Sequence, residues 1–308
     1  MRRFLIFCLC LFIAPVAASA KKGAPAPKKE AATQAQPSSA KGEMTAEEFE
    51  SQLKYERGRI VLPGGIATLN VPDSFRYLAP EQADDILVKA WGNPPGTKTL
   101  GMLFPSNTSP LADEGWGVVI TYNDDGHVDD DDAKSLDYDD MIKRMKEETA
   151  EGNKERTEGG YQPIALIGWA EPPHYESATH KLYWARELSF EGVAQHTLNY
   201  DIRVLGRAGV LSFNAIASMN QLAEIQGGMR EVINFADFNS GQRYADFNSG
   251  TDKLATYGVG ALVAGTIAAK AGFFKIALGA LLAAKKFIII GLAAAAAALR
   301  KFFKGKSS

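Results

Sequence analysis

Residues 254–308 carry eight basic side chains and no acidic one, and this strip constrains the fold more than any other feature. Within it, residues 254–274 hold one charge, Lys270. At ~1.5 Å per residue, a helix of that length reaches about 30 Å, the hydrocarbon thickness of a bilayer. Lys270 lies one turn from the far end, where its stem can carry the ammonium out of the lipid. The pattern predicts a transmembrane helix over 254–274. Gly258, Gly265, Gly272 and Gly279 fall seven apart, and that spacing drifts only ~20° per heptad on a helix. They read as a seam for self-association or for docking the next segment. Residues 275–308 read as an interfacial stretch with a basic tail, or as the second arm of a two-span hairpin turning at Lys285-Lys286. The bias of basic residues toward the cytoplasm favours one span with the tail inside.

The N-terminal 20 residues pair Arg2 and Arg3 with a 13-residue apolar run and end on Ala18-Ser19-Ala20, the pattern of a cleaved secretory signal. Both cysteines, Cys8 and Cys10, lie inside it, so the mature chain is expected to lack disulfides and thiol-bound metal. Residues 21–43, rich in Lys, Ala and Pro, read as a flexible linker. An inner-membrane protein with an exported, periplasmic domain over 44–235 follows, with juxtamembrane turns over 236–253. Residues 44–253 carry 34 acidic and 19 basic side chains. That excess repels phosphate and argues against nucleic acid as a partner. The expected partners are the bilayer and a protein, or a second copy joined through the glycine seam.

The exported part patterns as α+β. Thr45 and Glu48 form a capping box for a short helix. Residues 59–62, 67–71, 100–104 and 116–122 read as strands, and Tyr138, Met141, Ile142 and Met145 repeat at helical spacing. Residues 182–190, 198–204 and 211–217 alternate apolar and polar and predict an antiparallel meander with one face wet. Met219, Leu222, Ile225, Met229 and Val232 mark a final helix. The expected architecture is a twisted antiparallel sheet with helices on one face, plus the C-terminal membrane helix.

Several strings carry a family likeness: Trp91-Gly-Asn-Pro-Pro95, Gly168-Trp-Ala-Glu-Pro-Pro-His-Tyr175, Leu182-Tyr-Trp-Ala185, Leu198-Asn-Tyr200, Arg203-Val-Leu-Gly-Arg207, Tyr244-Ala-Asp-Phe-Asn248 and Ala255-Thr-Tyr-Gly258. The chain resembles the DUF2167 family of bacterial membrane-anchored proteins from about residue 48 onward. The resemblance implies an exported domain on a C-terminal anchor and brings no activity, so no catalytic residue is carried over.

Residues 124–140 hold nine aspartates around Gly126 and His127. An EF-hand-like register places Asn123, Asp125 and Asp132 at positions 3, 5 and 12 but puts Thr121 at position 1 and lacks the closing Glu. Calcium there competes with a simpler reading, a hairpin turn before an acid-capped helix. Glu171, His174 and His180 offer ligand atoms without helical spacing, in a stretch read as a loop because of Pro172-Pro173. Trp91, Asn93, Trp169, Glu171, His174 and Tyr175 are candidates for lining a partner groove, and Arg203 and Arg207 for binding. No nucleophile elbow, zinc-protease or phosphate-loop motif occurs. The expectation is a non-catalytic binding protein with no required cofactor. The alternative is a divalent-metal or metal-dependent hydrolase domain at the Asp-rich loop or at Glu171 and His174. The hexapeptide Ala236-Asp-Phe-Asn-Ser-Gly241 recurs as Ala245-Asp-Phe-Asn-Ser-Gly250, read as two turns leading to the membrane.

Overall fold

The computed structural model describes residues 45–93 and 95–264. The chain divides into two compact units, 1–259 and 260–308, and the description below concerns the first. Its elements run α1 (Ala46–Ser51), β1 (Tyr55–Glu56), β2 (Gly58–Val61), β3 (Ala67–Val71), β4 (Phe75–Leu78), α2 (Pro80–Asp85), β5 (Thr99–Pro105), β6 (Gly117–Asn123), α3 (Tyr138–Glu158), β7 (Ile164–Glu176), β8 (Lys181–Phe190), β9 (Thr197–Leu205), β10 (Val210–Ser218), α4 (Leu222–Phe235) and β11 (Ala236–Phe238). A helix α5, Val259–Ala264, begins at the unit's end. Eight strands form one antiparallel sheet in the order β1-β4-β5-β6-β10-β9-β8-β7, and β11-β3-β2 form a smaller one.

The predicted meander is present as β8-β9-β10, and its alternation sets one apolar face. Ala185, Leu198, Tyr200, Ile202, Leu211, Phe213 and Ala215 pack there against Ile225, Met229, Val232 and Ile233 of α4 and against Leu69 and Phe238 of the small sheet. Trp116 meets Phe75 edge-on at 5.9 Å and donates its indole N–H to Glu224 at 2.8 Å, fixing α4 on the sheet. The expected capping box at α1 forms: Thr45 Oγ1 accepts the Glu48 N–H, and Glu48 accepts the Thr45 N–H.

Two expectations are corrected. Helices cover both faces, because α2 and the π-helical turn after it, Ile86–Ala90, bury Ile86 and Leu87 with Met102, Phe104, Val119 and Ile216 on the second face. The face of β9 expected to be wet is therefore dry, with Asn199 and Asp201 at most 1% exposed, and β8 turns the apolar Trp184 onto that face and Ala185 toward α4, the reverse of the expected alternation. The Pro172-Pro173 stretch is also no loop but part of β7, the terminal strand of the large sheet. Its pairing with β8 shifts register three times between Leu166 and His174, and such bulges accommodate residues without an N–H at a sheet edge.

Of the expected membrane helix, Leu254 and the residues through Gly258 lie outside any helix, and α5 covers Val259–Ala264. Residues 265–274 lie outside the described residues. So do the signal, linker and tail segments and Gly265, Gly272 and Gly279. Among the described residues no helix is long and apolar enough to cross a membrane.

Candidate functional site

Strand β6 ends at Asn123 and the chain turns through Asp124, Asp125 and Gly126 into the aspartate-rich loop. Asn123 Oδ1 accepts the Asp125 N–H at 3.2 Å, a side-chain-stabilised turn. Gly126 sits at φ +122°, and a Cβ there would stand 2.7 Å from the Lys253 carbonyl and 2.8 Å from the Ala255 nitrogen. Only glycine allows the approach. The segment 253–255 uses that space: the His127 N–H donates to the Lys253 carbonyl at 2.8 Å, and the Ala255 N–H donates to the His127 carbonyl at 2.7 Å.

The three residues placed in a cation register face this same segment. The Asn123 amide donates to the Tyr257 hydroxyl at 3.3 Å, and that hydroxyl donates to Asp125 Oδ2 at 3.2 Å. Asp132 Oδ1 accepts the Val259 N–H at 2.8 Å, the first backbone donor of α5. A Cβ on Gly258 would lie 2.6 Å from the Asp132 carboxyl, so Gly258 grants the carboxylate its approach. Burial pushes the Tyr257 phenol upward, and the adjacent Asp125 charge adds to it, so Tyr257 remains a donor at neutral pH.

Beside this lies a ladder of four rings. His180 stacks on Tyr244 at 3.9 Å, Tyr244 meets His127 at 4.2 Å with the rings tilted by 37°, and His127 stacks on Phe247 at 3.9 Å. Asp130 closes its side, accepting from Tyr175 at 2.6 Å and Tyr244 at 3.1 Å and lying 3.4 Å from His180 Nδ1. Burial alone would raise the Asp130 carboxyl. The hydrogen bonds from Tyr175, Tyr244 and His180 outweigh it and hold the group below the ordinary carboxylate range. Tyr175 and Tyr244 are pushed up by burial and then by Asp130. His180 is the one non-glycine residue at positive φ, +51°, among those described, and this turns its ring onto Tyr244.

Of the remaining candidates, Arg207 lies beside this cluster through Asp252, and the others are spread over the domain. Trp91 is buried in the second-face core and donates to the Pro110 carbonyl at 3.0 Å, with Asn93 buried beside it. That loop precedes β5, whereas Trp169 is on β7, five strands away, donating to the Tyr138 carbonyl at 3.1 Å. The two segments line no common groove. Glu171 accepts from Tyr200 at 3.3 Å and Gln226 at 2.7 Å. His174 is exposed, stacks near Tyr183 at 6.3 Å and lies 4.0 Å from Glu176. His180 is held at Asp130 instead, so the expected Glu171–His174–His180 set is dispersed. Arg203 pairs with buried Asp201 at 2.9 Å and stands over Trp184 at 5.0 Å. Arg207 grips Asp252 with two bonds of 2.7 and 2.9 Å, and this pairing, with the Asn248 N–H, holds the Asp252 carboxyl well below its usual range.

Oxygens of Asp129, Asp130 and Asp131 come within 4.8 Å of one another, with the outer two side chains exposed. Two shallow depressions lie farther along the chain, both touching Lys134 and Tyr138, one against Pro172 and the other against Pro173, His174 and Tyr175, and none of the three aspartates lines either. Sequence reasoning missed Asp130, His127, His180, Tyr244 and Tyr257 as a group. The signal available was the position of Tyr244 and Tyr257 in two of the family strings.

No curated protein matches the chain. Among solved structures it is similar to the cyanobacterial PsbP of Synechocystis, at 11% identity and TM-score 0.33 over 59% of this chain and 91% of that one. It is also similar to the Ran-binding protein Mog1p of Saccharomyces cerevisiae, at 10% identity and TM-score 0.32 over 60% and 96%. The family model described as a protein of unknown function, DUF2167, matches residues 54–296, and the chain belongs to that family.

Proposed function

We propose that the chain is a membrane-anchored envelope protein that presents its acidic α+β domain on the outer side of a bacterial inner membrane and works by binding a protein partner. The observation that supports this reading is the contact between the acidic loop and residues 253–259. The chain is tied to the domain by Asp125, His127 and Asp132 as far as Val259, within the first turns of the apolar segment that starts at residue 254. A domain fixed to its own exit point is suited to presenting one surface at a membrane. The polar side chains that sequence reasoning offered for chemistry, Glu171, Arg203 and Arg207 among them, are engaged within the domain, which favours binding over catalysis.

The test is alkaline extraction of membranes from cells making the full chain, with protease added to spheroplasts. The protein should stay with the membrane, its domain should be digested from outside, and a chain ending at residue 258 should be released. Extraction of the full chain by alkali would overturn the anchored reading. In-cell crosslinking of the full chain would identify the partner, and recovery of the chain crosslinked only to itself would redirect the reading to self-association.

A further inference from the structure

Residues 239–258 differ physically from everything they rest on. None of these twenty residues is buried, whereas they run between buried Phe238 and buried Val259. Leu254, the largest aliphatic side chain in the segment, is 54% exposed. The hold is polar and aromatic at the surface instead: Tyr257 on Asp125, Tyr244 on Asp130 and between the rings of His180 and His127, Phe247 on His127, the Arg207–Asp252 pair, the Val259 N–H on Asp132, and the backbone bonds to His127. Segments with few buried apolar contacts and hydrogen bonds near solvent open at far lower free energy than a sheet core. In β10, by contrast, eight of nine residues are buried.

We propose that residues 239–258 form a releasable strap: it unlatches from the acidic loop as a unit while the sheet stays folded, and so changes the domain's tether from docked to extended. At ~3.3 Å per extended residue, release adds up to about 65 Å of reach. Turns at Asn239 and Asn248 shorten this length in the docked state. Gly126 and Gly258 let the latch close, and the carboxylates of Asp125, Asp130 and Asp132 hold it. That the added reach points away from a bilayer rests on the anchored reading above. The unlatching itself does not.

The test is amide hydrogen exchange on the full chain in detergent micelles. The amides of His127, Ala255 and Val259 should exchange at least ~100-fold faster than those of β9 and β10. Tyr257→Phe and Asp132→Asn should each speed these three amides by a further ~10-fold without changing β9 and β10, the loss of one hydrogen bond. Exchange of the three amides at the rate of β9 and β10 in the wild-type chain would overturn the proposal. A spin label on Leu254→Cys, with Cys8 and Cys10 replaced by serine, gives a second readout in an otherwise native sequence. It should show a mobile and an immobile component, and a single immobile component would also overturn the proposal. Neither measurement depends on membrane attachment, so failure of the anchored reading shows in the alkaline extraction alone.

Discussion

On β8, β9 and β10 one face buries Ile202, Phe213 and Ala215, and the other sets buried Asn199 and Asp201, with the partly exposed Arg186 and Arg203, among buried Leu182, Trp184, Leu188 and Ile216. They differ in that the second carries a charged cluster inside an otherwise apolar layer. The first is held by apolar area removed from water, at roughly 1.5–3 kcal/mol for a fully buried large side chain. The second takes Asp201 out of water between two guanidiniums, each 2.9 Å away, with Arg203 also over the Trp184 ring. Burying charge gains little net stability even when it is paired, but leaving one partner alone is costly. The apolar side chains therefore supply stability, and the Arg186–Asp201–Arg203 cluster demands that its partners remain matched.

Phe213→Ala is expected to have the largest effect, about 3–5 kcal/mol of unfolding free energy by denaturant titration, since Phe213 is fully buried. A cost under about 1 kcal/mol would mean that α4 and the sheet collapse around the vacancy and that the apolar face is not rigidly packed. Asp201→Ala should cost about 3 kcal/mol by stranding Arg186 and Arg203. Replacing all three together by Arg186→Met, Asp201→Leu and Arg203→Met should bring stability back to within about 1–2 kcal/mol of wild type. If the triple variant is as damaged as the single one, the cluster is held by more than charge matching.

Smaller effects come from partnered groups outside the two faces. Asp130 has its folded pKa below its unfolded value, so its contribution is present above about pH 4 and is lost as pH falls through the folded value. Asp130→Asn should lower stability at neutral pH and leave it little changed in acid, where the contribution is already lost, so the acid limb of the stability–pH curve flattens. At the bottom of the scale, Lys89→Ala breaks an exposed helical pair with Asp85, 2.7 Å apart, and should cost about 0.3–0.5 kcal/mol in the same titration. Set beside Asp201, this pair of similar length tests whether burial decides the penalty.

The same contrast explains what could be read in advance. The strands 67–71, 182–190, 198–204 and 211–217 and the helix carrying Ile225 and Met229 were legible because apolar periodicity reports burial directly. The polar positions of those strands were misread as wet, because Asn199, Asp201 and Arg203 look alike in sequence whether solvated or paired inside. β7 was hidden by Pro172-Pro173, since an edge strand with bulges breaks the two-residue period. The aspartate loop was visible as acid, but the donors it serves, Tyr244 and Tyr257, lie over 100 residues away, and no local pattern links them.

The prolines of β7 have a consequence for the life of the protein in a crowded compartment. β7 closes the large sheet on one side with thirteen residues, long enough to template a strand from another molecule. Pro172 and Pro173 contribute no N–H to such a partner, and the three register shifts bend the strand away from a straight edge. Exposed Ile167 lies before the prolines and the last two of those shifts, so an incoming strand that began there would lose its ladder within a few residues. The feature that hid this strand from sequence reading also makes it a poor template for a strand from another copy.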